Sequence, residues 1–177
     1  MWRGSFELKK LNSWHVATAA EAIAAAQFAR FGFDVSVQYG ANQPEYDLIV
    51  AEGQNMLKIS VKGSQDGGWG LSQSQLSRIR NAQYHQAADD WCDRHKPGTA
   101  LCLVQFQDVP DDQLPRVYLA SPKEISERLK AASGGRGDTI LYEDYVRGPK
   151  AAGAGTREIL PANWKLTRQR LAEMLCR

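Results

Sequence analysis

The sequence predicts one α/β domain with a mixed central β-sheet flanked by helices. Its 177 residues are enough to bury a sizeable core in a single domain. Gly53 and Gln54 form a two-residue turn signal between two apolar runs, which predicts a β-hairpin over residues 45–62. Around this hairpin the patterns follow the order helix, three strands, helix, two strands, helix. We place the core of the domain in about residues 13–120 and a C-terminal extension in about 121–177.

The first helix is predicted over residues 13–31, in an alanine-rich segment that Gly32 ends. This segment is apolar nearly all round, which predicts that the helix is buried on every side. Residues 33–39 alternate as a strand does, and the hairpin follows them. After the hairpin, we expect residues 63–70 to form a glycine-rich loop.

In the second half of the chain, Ser72 and Gln75 have the spacing of a capping box and predict a long helix that ends near His95. Ser121, followed by proline and then by Glu124 at the third helical position, predicts another helix start. The other predicted elements are strands over residues 99–107, 116–120 and 139–146, a glycine- and alanine-rich loop over 147–155, and a last helix from Thr167.

Composition and charge exclude several classes of protein. The formal net charge of +2 is too small to indicate a nucleic-acid partner by itself, although it allows a local basic patch. The chain lacks both an apolar run long enough to span a membrane and the apolar stretch of a signal peptide at its start. The three cysteines are widely spaced, which predicts reduced thiols in a cytoplasmic protein, and neither they nor the histidines have metal-ligand spacing.

The hairpin register follows from the two-residue turn. Counting outward from the turn places Leu48 opposite Ile59 on an apolar face, because side chains alternate along a strand. The other face then carries Asp47 opposite Ser60, with Lys62 on the diagonal. The alternative is an ordinary solvated face with a surface pair of aspartate and lysine.

Three residues, two acids and a lysine, have side chains that suit metal-dependent hydrolysis of a phosphodiester bond. Asp47 is a candidate ligand, because Mg²⁺ sites use one or two carboxylates together with water and phosphate oxygens. Lys62 is a candidate to orient the attacking water or to offset charge in the transition state. Glu21 lies among apolar neighbours of the first helix, where an unpaired charge is costly. The alternative is that Glu21 only caps a helix that starts at Thr18, but we predict an earlier helix start.

These elements together resemble the PD-(D/E)XK nuclease superfamily, in its restriction-endonuclease-like and Holliday-junction-resolvase-like branch. The likeness covers roughly residues 13–107 and depends most on the segments 46–50 and 59–64. It lies in the order of an alanine-rich helix with one glutamate, a strand, a hairpin carrying an aspartate, and a short motif that ends in lysine. The resemblance implies an α-β-β-β-α-β core and an endonuclease that hydrolyses phosphodiester bonds.

The same resemblance implies roles for particular residues. Glu21, Asp47 and the main-chain carbonyl of Val61 would hold the metal ion, and Lys62 would be the motif lysine. The implied cofactor is weakly bound Mg²⁺ or Mn²⁺. The implied partner is nucleic acid, DNA in preference to RNA, and the sequence leaves open whether the chain forms a homodimer.

Ser60 departs from this family, which normally has glutamate or aspartate at that position. Serine carries no negative charge and binds Mg²⁺ weakly, so three outcomes follow. The site works with the remaining ligands, or Glu45 or Asp66 supplies a carboxylate, or cleavage has been lost. The last outcome is the alternative function: a catalytically degenerate domain that acts as a nucleic-acid-binding or protein-interaction module.

The segment after Lys62 supplies the candidate substrate contacts. Its glycines allow a phosphate to approach the backbone closely, and Trp69 suits stacking on a base. The alternative is that Trp69 closes the core as an apolar plug. Arg78 and Arg80 either contact phosphates or are solvated, and we expect the basic residues near the last helix to be solvated. The candidate nucleic-acid-binding residues are Ser64, Gln65, Trp69 and Arg78.

Overall fold

The structure, a computed structural model, describes residues 11–38, 45–78 and 83–176. A five-stranded mixed sheet forms its centre, with strand order β1-β2-β3-β5-β6, in which only the β3–β5 pair is parallel. The predicted α/β class and mixed central sheet are therefore confirmed. In chain order the elements are α1 (Ser13–Arg30), β1 (Asp34–Val37), β2 (Leu48–Glu52), β3 (Asn55–Ser64), β4 (Gly68–Gly70), α2 (Gln73–Leu76), α3 (Tyr84–Asp93), β5 (Thr99–Gln105), β6 (Arg116–Ala120), α4 (Pro122–Ala131), β7 (Ile140–Tyr142), β8 (Asp144–Val146), β9 (Arg157–Ile159) and α5 (Arg168–Leu175).

Helix α1 begins where the side chain of Asn12 accepts a hydrogen bond from the backbone N–H of His15, at 2.9 Å. The predicted helix start before Thr18 is confirmed, so Glu21 is interior to the helix and does not cap it. The expectation of burial on every side is wrong. Only one stripe of the helix packs on the sheet. Alanine also favours the helical conformation at exposed positions, so an alanine-rich segment does not by itself indicate burial. The buried residues of this stripe are Val16, Ala20, Ala24 and Phe28.

The predicted hairpin register is confirmed from Glu52 back to Leu48, whereas the predicted pairing of Asp47 with Ser60 is wrong. Leu48 pairs with Ile59, and Glu52 pairs with Asn55 across a turn in which Gly53 has a φ of +62°. Leu48 and Ile59 are fully buried in the core layer that α1 and α5 cover. The apolar face of the hairpin is therefore the face that holds α1 against the sheet.

The other face of the sheet is buried as well, although the sequence pattern of the hairpin does not predict it. A second core layer lies there, with Leu101 and Leu103 of β5 and the apolar residues of α3 and α4. A parallel β3–β5 connection requires a crossover that covers this face. Ser60 is consequently only 3% exposed. The expectation that Ser60 lies on an open, polar face of the hairpin is wrong.

Three predicted elements have different boundaries in the structure. The long helix from Ser72 is wrong, because α2 and α3 are separate helices and the Ser72 side chain makes no cap hydrogen bond. The glycine-rich loop is only partly a loop, since β3 continues to Ser64 and β4 begins at Gly68, with a bend over residues 65–67 between them. The strand over residues 139–146 is two short strands, of which β7 pairs with β4 and β8 pairs with β9.

The C-terminal third of the chain contributes to both core layers. The predicted capping box of α4 is confirmed, with Ser121 and Glu124 each hydrogen-bonded to the other's backbone N–H. Arg170 of α5 is 4% exposed and its guanidinium lies 2.8 Å from the Glu124 carboxylate, so the expectation that it is solvated is wrong. Within the three described ranges, no helix combines the length and the apolar character needed to cross a bilayer.

Gly63 is where α1 approaches the sheet most closely beside the candidate site. A Cβ at this position would lie 2.8 Å from Val16 Cγ1 and 2.9 Å from the Val16 carbonyl oxygen. Gly63→Ala is therefore expected to lower the free energy of unfolding by roughly 1–3 kcal/mol through overpacking. Chemical denaturation measures it. Gly148→Ala is the control, because a Cβ there meets nothing within 4 Å, and equal stability of the two variants would contradict the prediction.

Candidate active site

A cleft of about 450 Å³ opens between the first turns of α1 and the adjoining parts of β2, β3 and β4. Glu21 meets residues there that follow it by 26 positions at Asp47 and by 41 positions at Lys62, because α1 packs across β3 and β2 pairs with β3. The lining does not include Ser60 or Arg78, although the structure describes both. The predicted site residues that do line the cleft are Glu21, Asp47, Val61, Lys62, Ser64, Gln65 and Trp69.

Asp47 enters this cleft through an irregularity at the start of β2. Its backbone N–H donates to the Ile59 carbonyl at 2.8 Å, although Ile59 is already paired with Leu48. Two residues of one strand thus face one residue of the other, which is the count of a β-bulge, a feature that redirects side chains. The Asp47 carboxylate accepts a hydrogen bond from the backbone N–H of Val61 at 2.6 Å. It therefore lies beside Val61 and not opposite Ser60.

The main-chain carbonyl of Val61 faces the same side of β3 as Asp47. Alternate residues of a strand direct their backbone groups to opposite neighbours. Lys58 donates to Gly98 on the β5 side, so the groups of Val61 are directed to the β2 side, where its N–H meets the Asp47 carboxylate. Because the β2–β3 ladder ends at Leu48, this carbonyl lies beyond the last paired residue of β2.

Glu21 is half-buried on α1, and its electrostatic environment places it near the other two charged groups. Burial raises the pKa of Glu21, the negative charge of Asp47 raises it further, and the positive charge of Lys62 opposes both effects. The two carboxylates therefore repel each other across the cleft. A cation placed between two such carboxylates would relieve this repulsion.

The raised pKa of Glu21 predicts how the stability of the metal-free protein depends on pH. The folded state binds the proton of Glu21 at a higher pH than the unfolded chain does, so this group lowers stability as pH rises through its folded pKa. Glu21→Gln is expected to increase the free energy of unfolding at pH 7 in the presence of EDTA. The gain should vanish well below the unfolded-state pKa of about 4.3.

Denaturant titrations at pH 7 and at low pH measure this gain. The matched control is Glu127→Gln, which replaces an exposed glutamate of α4 outside the cleft. A Glu21→Gln variant that is less stable than the wild type at pH 7 would contradict the prediction.

Lys62 is exposed at the wall of the cleft. Among the residues that the structure describes, no carboxylate lies within ion-pair distance of its amine. Lys58, on the same face of β3, instead lies over the ring of Tyr46, with its amine 5.8 Å from the ring centre, and does not line the cleft. Of these two lysines, only Lys62 is positioned to act on a molecule in the cleft.

The carboxylates proposed to replace the missing acid behave differently. Glu45 accepts hydrogen bonds from the Lys96 backbone N–H and the Thr99 hydroxyl, and it does not line the cleft. Asp66 lines the cleft, and its carboxylate accepts a hydrogen bond from Ser64 at 2.9 Å. The described residues nevertheless contain no group of three acidic, histidine or cysteine side chains placed to hold one metal ion. The donors that meet are therefore two carboxylates and one carbonyl.

This donor set suits a hard cation. Mg²⁺ and Mn²⁺ prefer carboxylate and carbonyl oxygens, and Mg²⁺ retains several waters where protein ligands are few. Glu21, Asp47 and the Val61 carbonyl are oxygen donors that line one open cleft. The residues present thus fit a divalent cation whose remaining ligands come from solvent and substrate.

A carboxylate at position 60 would not complete this set, because the Ser60 side chain is buried and outside the cleft lining. Ser60→Glu is expected to destabilise the protein, since a buried carboxylate without a partner is costly. Thermal denaturation and calorimetric titration of Mn²⁺ measure the two properties. A stable Ser60→Glu protein with tighter Mn²⁺ binding would contradict this expectation.

The segment after Lys62 forms a wall of the cleft, and its polar side chains are engaged in hydrogen bonds within the protein. The Gln65 amide donates to the Leu11 carbonyl at 2.7 Å, which attaches the start of α1 to this segment. Ser64 is buried and bonded to Asp66. Both residues keep their predicted place at the cleft, and their hydrogen bonds shape its outline.

Trp69 is the clearest correction among the predicted substrate contacts. It is 3% exposed, and its indole N–H donates to the Lys62 carbonyl at 2.9 Å. Leu101 and Leu103 belong to the same apolar cluster. Trp69 is therefore an apolar plug that positions Lys62, because a ring buried on both faces has no room for a base. Arg78 is exposed outside the cleft, and Arg80 lies outside the described residues.

Sequence reasoning missed the first turn of α1, which forms one wall of the cleft through Ser13, Val16 and Ala17. The helical spacing from Ser13 to Ala17 to Glu21 was the available signal, since residues four apart lie on one face. A comparison with models of known protein families finds none that matches this chain, and no curated protein matches it in sequence. A function for this chain is therefore inferred from the cleft itself.

Proposed function

We propose that this chain is a divalent-metal-dependent endonuclease that hydrolyses phosphodiester bonds in nucleic acid, with DNA as the proposed substrate. One observation carries the proposal. The carboxylates of Glu21 in α1 and of Asp47 just before β2 line one cleft with Val61 and Lys62 of β3, and Lys62 has no ion-pair partner among the described residues. Metal-dependent phosphodiester hydrolysis needs these groups, namely hard oxygen ligands for the ion and a fixed positive charge near the phosphate. The resemblance to PD-(D/E)XK nucleases is in accord with this proposal.

The chain's own groups divide the work. Glu21, Asp47 and the Val61 carbonyl would hold the ion, which when bound supplies a more acidic water and charge stabilisation at the phosphate. Asp47 is held in place by the Val61 N–H, so it requires little reorganisation. Lys62 lines the cleft, and its backbone is fixed because its carbonyl accepts from the Trp69 indole. The proposed positive charge is the amine of this residue. In this role the amine orients the attacking water or offsets negative charge on the phosphate.

The small number of carboxylates bears on metal affinity. With two carboxylates in place of the usual three acidic positions, the protein alone supplies little negative charge to the ion. We therefore expect weak binding without substrate, and cleavage that requires millimolar Mg²⁺ or proceeds better with Mn²⁺, which accepts mixed ligands more readily.

A cleavage assay tests the proposal. End-labelled single-stranded, duplex and branched DNA, and RNA of matched sequence, are incubated with the protein in Mg²⁺, Mn²⁺ or EDTA. We expect cleavage of at least one DNA substrate with either metal and none in EDTA. Cleavage that is equal in EDTA, or is absent for all substrates in both metals, would contradict the proposal.

One observation favours a second function. The position at which the resemblance calls for a second acid holds Ser60, which is buried outside the lining of the cleft, as expected for a domain that has lost cleavage. Such a domain would act as a nucleic-acid-binding or protein-interaction module on the same fold. Binding of labelled DNA that is unaffected by EDTA, with no cleavage in Mg²⁺ or Mn²⁺, would favour this alternative.

A further inference from the structure

Trp14 differs from the other tryptophans that the structure describes. Its side chain is 68% exposed, whereas the remaining three are nearly inaccessible in the second core layer. A tryptophan exposed to this extent leaves a large apolar ring in water, and the ring offers a flat face to a ligand. The three buried tryptophans are Trp69, Trp91 and Trp164.

Trp14 lies on the same stripe of α1 as Glu21. Seven residues separate them, which is nearly two full turns, or roughly 10 Å along the helix axis. Their directions around the helix differ by only about 20° at 3.6 residues per turn. Ser13 and Ala17, which both lie to one side of this stripe around the helix, line the cleft that contains Glu21. Trp14 does not line the cleft itself, but it follows the cleft-lining residue Ser13 on the helix that carries a candidate ligand.

The first turn of α1 is held in position from both sides. Asn12 caps the helix, and the Gln65 amide binds the Leu11 carbonyl from the segment after β3. The His15 ring packs edge-on against the Trp14 indole, with 5.3 Å between ring centres. Trp14 is thus an aromatic group presented by a fixed helical turn, which lowers the entropic cost of stacking.

An exposed indole at a fixed distance from a phosphodiesterase site suits one ligand chemistry in particular. Aromatic side chains stack on nucleic-acid bases irrespective of sequence. Because roughly 10 Å along the helix axis separates Trp14 from Glu21, a strand with a phosphate in the cleft has a base within reach of the indole a few nucleotides away. Bases inside a duplex are already covered on both faces by their neighbours, so only an unpaired base can accept the indole.

We infer that Trp14 stacks on an unpaired base a few nucleotides from the phosphate in the cleft, so that the substrate has a single-stranded segment there. This inference rests on the proposed function for the identity of the ligand. It concerns binding, which requires neither the metal ion nor cleavage. Its failure is therefore distinguishable from failure of the nuclease proposal.

Fluorescence anisotropy with labelled single-stranded DNA and blunt duplex, both in EDTA, tests the inference. Trp14→Ala is expected to weaken binding of single-stranded DNA by at least about fivefold, while Trp14→Phe keeps most of the affinity. Blunt-duplex affinity should be unchanged in both variants. Met56→Ala is the control, since Met56 is 69% exposed on the hairpin outside the cleft.

A second measurement locates the base. A 2-aminopurine is moved along the single strand, and we expect a position at which its fluorescence is quenched by the wild type but not by Trp14→Ala. Wild-type protein that binds no single-stranded DNA, equal losses on single-stranded and duplex DNA, or affinity unchanged in Trp14→Ala would each overturn the inference. An absence of cleavage beside the expected binding differences would instead refute the nuclease proposal and leave the stacking role in place.

Discussion

Asp47→Asn is expected to lower the rate of DNA cleavage by about 10³-fold, which corresponds to the several kcal/mol of transition-state stabilisation that a bound ion supplies. The substitution removes a negative charge from the cleft and keeps the shape of the side chain. The asparagine carbonyl oxygen can still accept the Val61 N–H, which the Asp47 carboxylate now does at 2.6 Å. The fold should therefore be preserved.

Asparagine is a better replacement than alanine for this test. Alanine would leave the Val61 N–H without an acceptor, at a cost of about 1–3 kcal/mol in stability, and a loss of activity would be ambiguous. Single-turnover cleavage and thermal denaturation are measured together. Asp66→Asn is the matched control. It removes the charge of another aspartate that lines the same cleft and that accepts a hydrogen bond from Ser64. Equal losses in the two variants would show that general cleft charge, not a ligand, had been removed.

Lys62→Met is expected to lower the single-turnover rate by roughly 10²–10³-fold, the range seen when a single group that stabilises transition-state charge is removed. The lysine amine has no carboxylate partner among the described residues, so its loss breaks no ion pair of the folded protein. Methionine retains most of the apolar stem. Stability should consequently change little, and Mn²⁺ binding should be retained.

Lys58→Met is the matched control for Lys62. It lies on the same face of the same strand, but outside the cleft, where its amine faces Tyr46. We expect this control to cleave at nearly the wild-type rate. A Lys62→Met protein that cleaves as fast as the Lys58→Met control would remove Lys62 from the mechanism, and a loss of Mn²⁺ binding would reassign it to the ion site.

Local patterns predict much of this fold because the interactions that determine them are local. The hairpin register depends on a two-residue turn and on alternating side chains, and its pairing of Leu48 with Ile59 is confirmed. The capping box at Ser121 and the early start of α1 follow from short-range hydrogen bonds. These elements were sufficient to bring the Glu21, Asp47 and Lys62 positions to one side of the molecule.

Long-range packing accounts for the corrections. Ser60 is buried because β5 pairs in parallel with β3 and the helices between and after them cover that face. Trp69 is buried because β4 pairs with β7, a strand about seventy residues further along the chain. Arg170 loses its solvent because α5 returns to Glu124. None of these neighbours is near in sequence, so periodicity and composition carry no information about them.

The position of the Asp47 side chain likewise differs from the one that the sequence predicts. Counting residues from the turn places Asp47 opposite Ser60, but the two-to-one arrangement at Ile59 directs its carboxylate to the Val61 N–H. A single irregular residue cannot be recognised from a regular register. Its effect on the proposed function is large, because the Asp47 carboxylate that would bind the ion no longer lies opposite Ser60, the residue that differs from the family pattern.

Locating the divalent ion by nuclear magnetic resonance tests the central claim most directly. Substoichiometric Mn²⁺, added to isotope-labelled protein without substrate, broadens the amide signals closest to the ion even when binding is weak. The account predicts that the signals of Glu21, Asp47, Val61 and Lys62 broaden first in the wild type, and that this broadening is lost in Asp47→Asn. Broadening that persists unchanged in Asp47→Asn, or that begins instead at the acidic loop of residues 108–112, would contradict it.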